Sequence, residues 1–151
     1  MLAVAVIDTS VFVADAMSQF HGGASSRVLD LALTERFRLV MCDQIRDELV
    51  AVLARKLAWT VWDVQTRFGA VFDRATWVAP VPEEPHHLAA VQGHSADTIV
   101  VRTAEAIYIS NRPDLVAIPA KYVMSMNTKH FPPGVTYAGF IFTTPHDLLA
   151  R

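Results

Sequence analysis

One cysteine, Cys42, is all the thiol chemistry this chain has. A single cysteine excludes an internal disulfide and a cysteine-built zinc site, and it fits a reducing cytoplasm. No uninterrupted apolar run is long enough to span a bilayer, so a membrane protein is not expected. The first residues, Met1-Leu-Ala-Val-Ala-Val-Ile7, have no basic leader and run straight into Asp8, so they are not read as a signal peptide. There is no excess of either charge: 13 basic residues stand against 15 acidic ones, for a net charge of -2. The basic surplus that announces a nucleic-acid binder is absent. Acids gathered on a metal would mask a more positive rim, however, so charge neither supports nor excludes RNA. Internal repeats, low-complexity tracts and linkers are also missing.

What the chain does have is apolar mass. Hydrophobic residues make up 52% of 151, which is high for one domain spanning residues 1–151. A thick core, a subunit interface, or both would absorb that surplus.

The patterning alternates. Met1 to Ile7 reads as a strand buried on both faces, as in a parallel sheet. Residues 24–34 read as a helix after the Gly22–Gly23 break. Residues 38–42 read as a strand, and 43–57 as a helix with Ile45, Leu49, Val52, Leu53 and Leu57 on one face. Thr60 and Asp63 form a capping box that opens a helix through Phe72. Residues 75–79 read as a strand ended by the Pro80–Pro85 stretch. A helix is expected over 96–110, a break over 111–119, and a strand over 122–125. A loop over 127–134 and a final strand over 139–142 follow, and Pro145 starts a terminal helix. Strands alternating with helices predict a three-layer α/β/α sandwich around a central, mostly parallel sheet. Sites in such folds form at the carboxyl ends of the strands.

Four polar residues then need explaining. Asp8 ends the first buried strand, where it is either a helix cap or a functional acid. Asp97 carries Val100, Val101, Ala104 and Tyr108 at helical spacing, which puts it on an apolar face. An unpaired carboxylate there is costly, so a helix N-terminus or a metal ion must compensate it. Glu48 sits at the edge of the apolar face of its helix, the ordinary place for a solvated flank. Asn127 follows a strand, as turn asparagines do. Their shared placement, at strand ends or on helices able to cover them, favours one site. Acids gathered on one spot repel unless a divalent cation neutralises them, and oxygen donors suit Mg2+ or Mn2+.

These residues resemble the motifs of a known family. Val6-Ile-Asp-Thr-Ser-Val-Phe-Val13 resembles the opening motif of PIN domains. Asp47-Glu-Leu-Val-Ala-Val-Leu-Ala-Arg55 is similar to the second, and Asp97 to the third acid. Lys121-Tyr-Val-Met-Ser-Met-Asn-Thr-Lys-His-Phe-Pro132 resembles the fourth. The chain departs from the pattern in three places. Asn127 stands where an Asp is usual, His94 occupies a site that is often acidic, and the stretch from Asp97 to Tyr122 is long, with its extra residues around 110–120.

The resemblance implies a metal-dependent endoribonuclease. Asp8 and Asp97 would hold Mg2+ or Mn2+, and Glu48 would be a further ligand or would orient the attacking water. Asn127 would orient a water or phosphate. Cleavage would leave a 5′-phosphate and a 3′-hydroxyl. Ser10 and Ser125 would fix the carboxylates, if they are more than capping or turn hydroxyls. Arg46, Arg55, Lys56, Lys121 and Lys129 are candidate phosphate contacts, each otherwise a plain surface charge. Small relatives are often toxins that dimerise and are silenced by an antitoxin protein. The main alternative is a weakened PIN domain that binds RNA or a protein without cleaving, which Asn127 and His94 favour. A haloacid-dehalogenase-type phosphatase would need an acid where Ser10 stands. A histidine metal site from His86, His87 and His94 lacks an i, i+4 pair, and the first two are expected in a solvated loop.

Overall fold

A computed structural model describes residues 3–18, 22–109 and 112–151. The expectations for residues 1, 2, 110 and 111 lie outside the described residues.

The first strand, β1 (Ala3–Ile7), is the centre of the molecule. Val4, Ala5, Val6 and Ile7 are almost wholly excluded from water, as an unbroken apolar run buried on both faces must be. β1 pairs in parallel with β2 (Arg38–Met41) on one side and with β4 (Ala120–Met124) on the other. Beyond β2 lies the two-residue β3 (Thr76–Trp77), and beyond β4 lie β6 (Phe140–Thr143) and β5 (Thr136–Tyr137). The sheet order is β3-β2-β1-β4-β6-β5, parallel throughout except for the β5–β6 hairpin. With helices on its flanks, this is the expected α/β/α sandwich. The chain winds outward from β1 in one direction and then from β4 in the other. The reversal lies between these two strands, where open parallel sheets leave a crevice at their carboxyl ends.

The helices with strong signals form where they are expected. They are α2 (Ala24–Leu33), α3 (Asp43–Leu57) and α4 (Val61–Arg74). The Thr60 capping box closes with Thr60 N–H to Asp63 Oδ2 at 2.7 Å and Asp63 N–H to Thr60 Oγ1 at 3.2 Å. α8 (Pro145–Leu149) is capped by the Thr144 hydroxyl, which accepts from Asp147 N–H at 3.1 Å.

Four features differ from the sequence reading. Thr9–Met17 forms a helix, α1, that carries Val11, Phe12 and Asp15 into the core. Its run of adjacent apolar residues has little amphipathic period, which hid it. Asp15 is buried there and takes Arg67 Nε at 3.1 Å, while Phe12 packs edge-on against Phe68, so α4 is locked to α1. Second, Pro85–Ala90 is a short helix, α5, and Pro113–Val116 is another, α7, inside the supposed breaks. Proline at the first helical position permits both. Third, Asp97 belongs to a 3₁₀ turn, Ser95–Asp97, and the α-helix that follows, α6, runs Thr98–Ile109. Fourth, β5 and β6 join through Ala138 and Gly139, both at positive φ, as a two-residue type I′ hairpin requires.

Candidate metal centre

Asp8 follows β1 at the switch point. Its backbone sits at the N-cap of α1, yet its side chain makes no cap hydrogen bond. Instead Asp8 Oδ2 accepts from Ser10 Oγ at 2.7 Å and from Ser125 Oγ at 2.8 Å. Ser125 lies just past β4, so the two strands on either side of the reversal supply one carboxylate and its two hydroxyls. The same hydroxyls also bind backbone: Ser10 Oγ accepts from Met126 N–H at 2.9 Å and Ser125 Oγ from Asn127 N–H at 3.0 Å. The Asp8 carboxylate is therefore fixed by a network that also sets the loop after β4.

Glu48 projects from α3 over the same place and accepts from Thr9 Oγ1 at 3.2 Å. The sequence reading did not select Thr9; its position beside Asp8, one residue into α1, is the signal that would have found it. Asp97 meets His130 Nδ1 through Oδ2. Asp8, Glu48, Asp97 and Asn127 line one cleft of about 410 Å³, together with Thr9, Ser10, Arg55 and Lys56.

The electrostatics of this cleft are adverse to its own acids. Burial pushes the Asp8 carboxyl above its ordinary value. The Ser10 and Ser125 hydroxyls oppose that, and the charge of Asp97 adds to it. Glu48 is pushed up as well, first by loss of water around its carboxyl and then by the charge of Asp8, with Asp97 a smaller contributor. Two carboxylates whose proton affinity is raised, with the charge of Asp97 beside them, are ready for a cation. The donor set fits Mg2+ or Mn2+, hard or borderline ions that accept carboxylates and keep waters. Among the described residues, only His86, His87 and Glu105 bring three histidine, cysteine or acidic donor atoms within 4.8 Å of one another. The three cleft carboxylates stand further apart, which suits an ion held by one or two of them directly and by the rest through water.

The candidate phosphate contacts divide. Arg55 and Lys56 line the cleft and are exposed. Arg46 is turned away. It pairs with Asp43 and Asp47, each at 3.5 Å, and lies over the Trp77 ring. Lys121 is near the amino end of β4, at the opposite edge of the sheet, where its Nζ donates to Ile118 O at 2.6 Å. Lys129 is exposed outside the cleft lining. Arg46 and Lys121 are thus corrected: local partners hold both elsewhere.

His86 and His87 are corrected too. They begin no solvated loop. His87 is completely buried on α5, and its Nε2 donates to Glu105 Oε2 at 2.6 Å. Tyr137 donates to the same oxygen at 2.6 Å, and His86 Nε2 reaches it at 3.2 Å. A metal would need the His87 Nε2 lone pair. His87 Nδ1, however, accepts the Glu84 backbone N–H at 2.7 Å, so the ring proton must sit on Nε2. The cluster is a hydrogen-bond hub joining α5, α6 and β5.

His94 and His130 went unselected as site residues, and the structure brings them together. Their rings stack at 3.4 Å beside Asp97. Asn127 approaches the same nitrogen of His130, with Nδ2 to Nδ1 at 2.9 Å. The signal was present in the fourth motif, where His130 lies three residues after Asn127, within one turn of it.

A parallel sheet with an acidic crevice at its switch point defines an open α/β fold with a candidate cation site, and the comparison with family models gives its family. A PIN-domain model matches residues 4–104, two thirds of the chain, and the chain belongs to the PIN-domain family. Members of that family are generally nucleases. Asp8, Glu48 and Asp97 fall inside the matched span, and Asn127 and His130 outside it. No curated protein and no solved structure matches the chain.

Proposed function

We propose that this protein is a divalent-metal-dependent endoribonuclease. The observation that carries the proposal is the buried Asp8 carboxylate, fixed by Ser10 and Ser125 and facing Glu48 and Asp97 across one cleft. In this reading Asp8 and Asp97 hold the ion, Mg2+ or Mn2+. A divalent ion held there would supply a bound water of lowered pKa and a screen for the phosphate charge. Glu48, held by Thr9 at the cleft mouth, orients the attacking water and takes its proton. Its raised proton affinity suits that task. Arg55 and Lys56 steer the RNA phosphates into the cleft.

Toxin activity restrained by an antitoxin protein, in a homodimer, is part of the same proposal. It rests on family and size. No helix among the described residues is long and apolar enough to cross a membrane. A cytoplasmic place fits a partner of this kind. A second reading, a binding module without cleavage, draws on Asn127 and on the histidines beside Asp97.

The test is cleavage of a mixed RNA pool by purified protein with Mg2+ or Mn2+. The proposal expects products with 5′-phosphates, and no products in EDTA or with Asp8→Asn. A well-folded, partner-free protein that cleaves nothing at any metal concentration would transfer the case to the binding module.

A further inference from the structure

The turn after β4 reaches two acids of the cleft at once. At its start, the Ser125 hydroxyl donates to Asp8 Oδ2 and accepts from Asn127 N–H. At its end, Phe131 is buried against Phe142, and its N–H closes the turn on Asn127 O at 2.9 Å. Between these anchors stands His130, whose Nδ1 meets Asp97 Oδ2. The Asn127 amide nitrogen lies 2.9 Å from the same ring nitrogen, which cannot donate to the acid and accept from the amide together. A half-turn of the amide exchanges its oxygen and nitrogen and leaves one consistent pattern. His130 Nδ1–H donates, with the Asp97 carboxylate and the Asn127 carbonyl as its acceptors. The half-turn gives up only a long contact, His130 N–H to Asn127 Oδ1 at 3.4 Å. The His94 ring lies on the His130 ring at 3.4 Å and 22°, and the His94 carbonyl accepts Asp97 N–H at 3.1 Å. His94 thus touches both partners of the pair.

Asp97 has a nearer set of donors that it does not use. It ends the 3₁₀ turn that opens α6, where an acidic side chain ordinarily bends back to the free N–H groups of the first turn. Among the described residues, its carboxylate bonds instead to His130, 33 residues along the chain. We propose that His130 is a positioning residue: by holding Oδ2 from outside the helix, it keeps Asp97 off the start of α6 and leaves Oδ1 for the cleft that Asp97 lines. The inference rests on the reading of the cleft as a metal site, and it names what aims one of the acids. His130 acts here neither as a ligand nor as a carrier of protons. Hydrogen-bond partners behind a metal ligand orient it, and losing one costs about 10- to 100-fold in metal affinity or activity. Without the His130 donor, Asp97 is free to cap α6, so the fold should lose little while the site loses much.

The test compares full-length wild type with His130→Ala, His130→Asn, Asp97→Asn and Asp8→Asn. Mn2+ affinity is measured by calorimetry, and the metal-free melting temperature by circular dichroism. The amide nitrogen of asparagine can take the place of the imidazole Nδ1, so His130→Asn keeps the donor and removes the ring. His130→Ala should bind Mn2+ at least about ten-fold more weakly than wild type, and His130→Asn should stay within about three-fold of it. The metal-free melting temperature of His130→Ala should lie within about two degrees of wild type. Ring-nitrogen NMR of the unmutated protein needs no variant to fold, and His130 Nδ1 should bear a proton. Mn2+ binding lost in Asp97→Asn and Asp8→Asn but unchanged in His130→Ala would overturn the inference and leave the metal-site reading intact. Equal loss in His130→Ala and His130→Asn, a His130→Ala protein that melts far below wild type, or an Nδ1 without its proton would do the same. Mn2+ binding indifferent to Asp8→Asn and Asp97→Asn would overturn both.

Discussion

Asp8 works against the metal-free fold. Its carboxyl is raised by burial, so the folded chain binds that proton more tightly than the unfolded chain does. Stability linked to Asp8 is complete below its ordinary value of 3.8 and is lost as pH rises through its higher folded value. At neutral pH the charge is a liability that the Ser10 and Ser125 hydroxyls offset in part and a cation would offset further. Asp8→Asn should therefore raise the metal-free melting temperature by a few degrees, about 1 kcal/mol, because one amide oxygen can still serve Ser10 and Ser125. Adding Mn2+ should raise the melting temperature of wild type and leave the variant unmoved. Thermal unfolding with and without Mn2+ at pH 7.5 checks both halves. The sequence made Asp8, Glu48, Asp97 and Asn127 visible because each sits at a strand end or faces one by helical spacing. It concealed Thr9 and His130, since a hydroxyl in a cap sequence and a histidine in a loop look the same with or without a site around them.

Elements with a clear period or a cap were legible. Buried β1, the regular face of α3 and the Thr60–Asp63 box each specify their own structure locally. α1, α5 and β5 are decided by what they pack against. α1 is held by Phe12 on Phe68 and by Asp15 on Arg67, and α5 by His87 on Glu105. Burial pulls the Glu105 carboxyl upward, but hydrogen bonds from Tyr137, His87 and His86 together outweigh it and hold it below 4.5. Its contribution is then present above pH 4.5 and lost as pH falls through the lower folded value. Glu105→Gln should cost about 1–3 kcal/mol at pH 7. The gap from wild type in urea unfolding should narrow as the pH drops below 4. In the β5–β6 hairpin, Ala138 holds a φ of 51° that a Cβ disfavours, and Asn-Gly is the preferred pair for this turn. Ala138→Asn should stabilise by roughly 0.5–1 kcal/mol, read from the urea midpoint at unchanged m-value.

For the whole molecule, the net charge of -2 hides an uneven distribution. Asp8, Glu48 and Asp97 line the crevice, and the cations that border it are Arg55 and Lys56. RNA binding through two phosphate contacts predicts a shallow salt dependence, with log K falling against log salt at a slope of about -1.4. Measuring that slope with a catalytically silent Asp97→Asn protein would check it. Arg55→Ala should flatten the slope by about 0.7, and Lys121→Ala should leave it unchanged.

The pairing of Asp8 with Ser125 crosses 117 residues of chain. A ribosome makes the acid first and its hydroxyl partner only 117 residues later. Until β4 inserts beside β1, Asp8 has no second hydroxyl, Asn127 has no anchor, and Asp97 has no neighbour in His130. Long-range strand pairing of this kind is slow to close, because the loop entropy must be met before the contacts form. The growing chain therefore lacks a complete centre until that pairing closes, and on the proposed reading as a ribonuclease the message that encodes it is spared in the meantime.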